Sequence, residues 1–105
     1  MKNIVLTGMP GSGKSTIAKV LQEKMPNFKL VEIDLEIEKQ ENCTISEIFK
    51  TKGEKHFRQK ETETIKTLAN TENLIISLGG GSFDSEENRK ILKNNIIFFM
   101  FDNFF

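Results

Sequence analysis

The stretch Gly8-Met9-Pro10-Gly11-Ser12-Gly13-Lys14-Ser15 sets a lysine and a hydroxyl at the end of a glycine-rich turn, with Thr16 after it. It satisfies G-x-x-x-x-G-K-[ST] at every fixed position, a pattern suited to holding phosphate. Its glycines let the backbone turn sharply and leave N–H groups unobstructed. Those donors, on Gly11, Ser12, Gly13 and the residues through Thr16, open onto a helix N-terminus that favours an anion. Lys14 is placed to reach the terminal phosphates, and the Ser15 hydroxyl to take a position on Mg²⁺. The alternative is a plain glycine-rich turn. The apolar run Ile4-Val5-Leu6 before it and the helical spacing after it favour phosphate.

Four further groups carry chemistry. Asp34 follows an apolar-alternating stretch, and it reads either as a proton acceptor for a substrate hydroxyl or as the N-cap of a helix starting at Leu35. Glu32 shares its side of the strand and is a candidate for supporting Mg²⁺ through a water. Arg58 and Glu61 have i,i+3 spacing. That is either a surface pair or a guanidinium held for a substrate carboxylate. Gly79-Gly80-Gly81 reads as close backbone approach to a ligand or as a tight strand-to-helix turn. The single histidine, His56, reads as a surface residue without a partner, and Cys43 as a loop residue without a catalytic role.

Positioning these groups requires alternating strands and helices. Strands are expected over Lys2–Thr7, Phe28–Ile33, Leu74–Leu78 and Ile96–Phe101, the last apolar enough to be buried on both faces. Ile17, Val20, Leu21 and Met25 mark a helix over Ser15–Lys24. A short helix is expected over Leu35–Gln40. Thr44 and Glu47 form a capping box for the next, which Gly53 is placed to end. Glu54–Asn70 carries Phe57, Glu61, Ile65 and Leu68 on one face, and Asp84 is placed to cap a last helix. The alternation predicts one α/β domain over residues 1–105, a parallel sheet with helices on both faces.

Fifteen basic and fifteen acidic residues balance, so nothing in the charge points to nucleic acid or a membrane surface. One cysteine makes neither an internal disulfide nor a thiolate metal cluster, which fits a reducing cytoplasm. No apolar run reaches the length of a membrane-spanning helix, and Met1 leads into a strand without a signal-peptide pattern.

Taken together, the phosphate loop, Asp34-Leu35-Glu36-Ile37-Glu38, Ile45-Ser46-Glu47-Ile48-Phe49, Gly53-Glu54, Phe57-Arg58-Gln59-Lys60-Glu61 and Gly79-Gly80-Gly81 resemble the shikimate kinases in order and spacing. The phosphate loop alone is shared by many enzymes; its combination with Asp34, the Phe57-Arg58-x-x-Glu61 stretch and the triple glycine is far more specific. The resemblance implies a P-loop NTPase fold with parallel strand order 2-3-1-4, followed in the family by a fifth strand. It implies transfer of the ATP γ-phosphoryl group to the 3-hydroxyl of shikimate, with Mg²⁺, in aromatic amino-acid biosynthesis. On it, Lys14 and Asp34 are catalytic, and Asp34, Arg58 and Gly79 to Gly81 bind shikimate, with Glu61 holding Arg58. Where the family has Asp two positions before Asp34, this chain has Glu32.

The resemblance also implies that the chain stops before a basic lid, a second arginine and the fifth strand. Weak nucleotide binding and little turnover are therefore expected. Five of the nine phenylalanines fall in residues 98–105, an end suited to exposed apolar surface. A monomer is expected, with self-association through that end as the variant. The competing readings are a P-loop kinase for gluconate or a nucleoside monophosphate, and a non-catalytic nucleotide-binding remnant.

Overall fold

Apolar residues on both sides of two short strands build the centre of the molecule. The computed structural model describes residues 3–8 and 14–100. Strand β1 (Ile4–Gly8) lies between β3 (Leu74–Ser77) and β4 (Ile96–Met100), and β2 (Lys29–Glu32) pairs with the outer side of β3. All pairings are parallel, in the order β2-β3-β1-β4. The register sets Ile4 beside Ile75 and Val5 beside Ile76, so alternate residues feed opposite faces.

One face is covered by helix α1 (Lys14–Lys24), whose Ala18 packs with Ile4, Leu6, Phe28 and Ile75. The other carries α2 (Ile33–Glu41), α3 (Ile45–Thr51), α4 (Gly53–Ala69) and α5 (Glu86–Leu92). Their Ile37, Ile48, Phe57, Ile65 and Leu92 meet Val5, Val31 and Ile76 in the larger core. Each fully buried isoleucine there contributes about 1.5–3 kcal/mol of transfer free energy. Among the described residues, no helix is long and apolar enough to cross a membrane.

Several elements differ from the sequence reading. Helix α2 begins two residues early, with Glu32 at its N-cap, so Asp34 lies inside the first turn and is not the cap. The capping box at Thr44 and Glu47 forms as expected, with both reciprocal bonds present. Lys52 caps α3, and Gly53 opens α4 at φ +88°, a left-handed conformation that favours glycine at the junction of two helices. Beyond the adjoining backbone nothing lies within 4 Å of a Cβ added there, so the requirement at Gly53 is conformational alone. Ser85 caps α5 by accepting from the Asn88 N–H; Asp84 instead closes a single 3₁₀ turn, Ser82–Asp84.

In α1, Ile17 and Val20 are exposed, and the buried position is Ala18. Strand β4 is not buried on both faces: Ile97 packs on the larger core, but Ile96 and Phe98 are about half exposed. Its pairing with β1 sets Ile96 beside Ile4 and Phe98 beside Leu6, on the face that α1 covers further toward β3 and β2. The expectations for Gly11, Ser12 and Gly13 and for the phenylalanines at 101, 104 and 105 fall outside the described residues.

Candidate functional site

Parallel strands point their C-terminal ends the same way, and the crevice beyond those ends is where open α/β sheets take ligands. Here that crevice is a cleft of about 360 Å³ lined by Lys14, Ser15, Glu32, Asp34, Ser77, Leu78, Gly79 and Gly80. Lys14 opens α1 after β1, β2 ends at Glu32 with Asp34 two residues on in the first turn of α2, and β3 ends at Ser77 before the glycines. A wider hollow of about 770 Å³ includes Thr71 and Asn95, just ahead of β3 and β4. It contains none of the residues that the sequence singles out.

Lys14 is half-buried at the first position of α1, and its Nζ donates to the Leu78 carbonyl at 2.6 Å. Burial lowers its pKa, and the charges of Asp34 and Glu32 oppose that shift. Asp34 shows the complementary effect. Burial raises its pKa, Glu61 adds to the rise, and Lys14 works against it. A partly desolvated carboxylate facing an ammonium is a proton acceptor of higher basicity than one in water. Ser15 is exposed and lines the cleft; Thr16 is also exposed, outside that lining.

Arg58 sits across the glycine loop from this cleft. Its Nη1 donates to Glu61 Oε1 at 3.0 Å and approaches Oε2 at 3.3 Å, while its Nε lies 3.6 Å from Glu54 Oε2. Its guanidinium carbon stands 5.3 Å from the centre of the buried Phe57 ring. Burial works against its charge, but the hydrogen bond and charge of Glu61 outweigh that and raise its pKa. The pair is thus not the exposed surface pair that its spacing also allowed: Glu61 has a side-chain exposure of 2 %.

The glycines now have a reason that neither sequence reading supplied. A Cβ on Gly79 would come within 2.7 Å of Asp34 Oδ1, and one on Gly81 within 2.8 Å of Arg58 Nη2. Neither glycine has a positive φ. Their lack of a side chain lets the Asp34 carboxylate and the Arg58 guanidinium lie directly on the loop backbone.

A shikimate kinase family model matches residues 10–103. The chain belongs to the shikimate kinase family. A shikimate kinase of Caldicellulosiruptor bescii is 46% identical over 102 residues, covering 96% of this chain and 59% of that protein. The structure of an Acinetobacter baumannii shikimate kinase in complex with shikimate superposes with a TM-score of 0.91 at 34% identity, covering 98% of this chain and 57% of that one. A shikimate kinase of Aquifex aeolicus gives 0.86 at 38% identity, covering 92% and 58%. This shikimate kinase family chain therefore spans a little under three-fifths of the length of those relatives.

Three groups that contact the candidate residues, directly or through one another, escaped the sequence reading. The Leu78 carbonyl that receives Lys14 is a backbone group and carries no sequence signal. Ser82 and Asn88, both fully buried, connect to Glu61 from the 3₁₀ turn and α5. The only cue for Ser82 is its place directly after the glycines. His56, read as unpartnered, instead meets Glu41 Oε1 at 2.9 Å.

Proposed function

We propose that this chain acts as a shikimate kinase, moving the γ-phosphoryl group of ATP to the 3-hydroxyl of shikimate. The observation that carries the reading is the loop Gly79–Gly81 with Asp34 laid on its first glycine and Arg58 on its last. That spacing suits a small hydroxylated acid. Its carboxylate would meet the Arg58 fork, and a hydroxyl would meet Asp34 on the side facing Lys14.

In this reading Asp34 accepts the proton of the attacking hydroxyl, aided by the burial that raises its basicity. Lys14 neutralises charge on the transferred group, and its hold on Leu78 O keeps the ammonium at the cleft floor. Gly11, Ser12, Gly13, Lys14, Ser15 and Thr16 bind the phosphates of ATP; Gly79, Gly80 and Gly81 present backbone to shikimate beside Arg58. Ser15 and Glu32 bring a hydroxyl and a carboxylate to the same cleft, oxygen donors that suit a hard cation. No cluster of three or more metal-ligating His, Cys, Asp or Glu side chains occurs among the described residues. Mg²⁺ is commonly bound through one or two carboxylates together with substrate phosphates. Bound there, Mg²⁺ would neutralise phosphate charge.

The test is calorimetric titration with shikimate, followed by ADP release with shikimate, gluconate and nucleoside monophosphates as acceptors. Saturable shikimate binding is expected, with any ADP release occurring only when shikimate is added. Phosphorylation of gluconate or a nucleotide, with shikimate neither bound nor phosphorylated, would overturn the reading.

A further inference from the structure

Glu61 is a buried carboxylate with two oxygens to satisfy, and Arg58 offers both of them a single nitrogen. Buried acceptors of this kind need a donor each. The second donor is the Ser82 hydroxyl, 2.5 Å from Glu61 Oε2. We propose that Ser82, braced by Asn88, is a positioning residue that aims the Arg58 guanidinium over the glycine loop through Glu61. The inference rests on the shikimate reading for the identity of the ligand, and on this hydrogen-bonded circuit for everything else.

The circuit begins and ends on α4. Thr62 Oγ1 donates to Asn88 Oδ1 at 2.8 Å, and Asn88 Nδ2 donates to the Ser82 carbonyl at 2.8 Å. The Ser82 N–H is held by the Gly79 carbonyl at 3.2 Å, and its hydroxyl returns to Glu61, the neighbour of Thr62. Every polar atom of Ser82 is therefore engaged, and Ser82, Asn88 and Glu61 are each at most 1 % exposed. Gly81, one residue before Ser82, is the glycine on which the guanidinium rests. The hydroxyl thus does two things at once. It occupies one oxygen of Glu61, so that Arg58 makes its shorter bond to the other. It also ties the loop beneath Arg58 to the helix that carries Arg58.

Removing the hydroxyl frees Oε2. Glu61 can then take the guanidinium with both oxygens, as such pairs favour, and draw it down onto α4 and away from Gly81. The experiment compares Ser82→Ala with the unsubstituted chain by two measurements. The first is the ¹⁵N NMR signal of the Arg58 guanidinium without ligand. The second is the dissociation constants for shikimate and for ADP. The expected result is a displaced Arg58 signal and shikimate binding weaker by about tenfold, with ADP binding unchanged. A loss of general integrity would weaken both ligands.

Thr62→Val, nearly the same shape, removes only the outermost bond and is expected to move both readouts the same way by less. Should Ser82→Ala fail to fold, Thr62→Val decides. An unmoved Arg58 signal in the folded variant overturns the proposal. If the unsubstituted chain binds no shikimate, the shikimate reading falls, and the Arg58 signal still decides whether Ser82 positions it.

Discussion

Two carboxylates, Glu41 and Glu61, hold basic side chains from the same stretch of chain, and they differ in what the held side chain is free to do. Glu41, at the end of α2, meets Lys52 at 2.7 Å, His56 at 2.9 Å and Lys60 at 4.0 Å. Those three recur every four residues and make one stripe along the start of α4. Arg58 and Glu61, with Glu54, make a second stripe that faces the glycine loop. Cations on both stripes keep much of their surface in water, Lys52 being 46 % and Arg58 40 % exposed, while both carboxylate side chains are largely covered. The Glu41 cluster fastens α2 to the α3–α4 junction, and its members can exchange one another for solvent. Glu61 is enclosed and divides its oxygens between Arg58 and Ser82, so that pair sets a direction as well as a distance. Ion pairs on one helix can therefore serve as fasteners on one face and as an aiming device on the other; the hydroxyl donor that shares Glu61 makes the difference.

The sharpest break in this comparison comes from Asp34, which faces the aimed side. Asp34→Asn is expected to slow phosphoryl transfer by about a thousandfold. It should also raise the melting temperature. The folded pKa of Asp34 is raised, so its contribution to stability is present while it is protonated and lost as pH rises through that pKa. At neutral pH the ionised form is a burden on the fold, which the amide removes. Transfer rate and thermal melting measured on one preparation check both signs; a lower melting temperature would count against the desolvated carboxylate. For the same reason the acid limb of the rate profile should lie above the ordinary carboxylate range.

Next in size are the two glycines. Gly81→Ala pushes a methyl group against the far end of a flexible arginine, which can swing aside. Shikimate binding should weaken by about tenfold with little change in melting temperature. Gly79→Ala meets the short, helix-bound Asp34 carboxylate and should reduce the transfer rate and the melting temperature together. Unchanged shikimate affinity in Gly81→Ala would mean that Arg58 need not lie on the loop.

The smallest effect is expected at Glu41, on the fastening side. Hydrogen bonds from Lys52 first and His56 second hold its carboxyl down to about 2. That lowered value contributes stability which is present above the unfolded carboxyl pKa and lost as pH falls toward about 2. Glu41→Gln should cost a few degrees of melting temperature at neutral pH, with the gap closing in acid, and should leave shikimate affinity alone. Melting curves across the acid range, with one shikimate titration at neutral pH, decide it. A large loss of affinity would show that the Glu41 cluster also aims the site.

Local chemistry made much of this legible in advance. The capping box at Thr44 and Glu47 lies within four residues and forms as its pattern predicts. The order of the elements followed from hydrophobic periodicity, and the parallel sheet followed from their alternation. Misreadings came where two local signals competed. Asp84 and Ser85 are both good caps, and packing chose Ser85, whose helix then offers Asn88 to the loop. Asp34 looks like a cap by type, but the helix starts ahead of it and turns its carboxylate onto Gly79. The apolar run of β4 resembles a doubly buried strand, yet Ile96 and Phe98 lie beside β1 on a face that α1 leaves partly open.

Residue type and spacing alone determined that this chain carries a phosphate-loop pattern, that its sheet is parallel, and that an arginine and a glutamate would stand one helical turn apart. These depend on interactions within a few residues or on a period of the backbone, which the chain carries wherever it folds. Tertiary structure decided why the glycines are glycines and why that arginine points where it does. Gly53 needs its backbone angle, whereas Gly79 and Gly81 need empty space for the tips of side chains from α2 and α4. Space of that kind is a property of three segments brought together, and no single one of them records it.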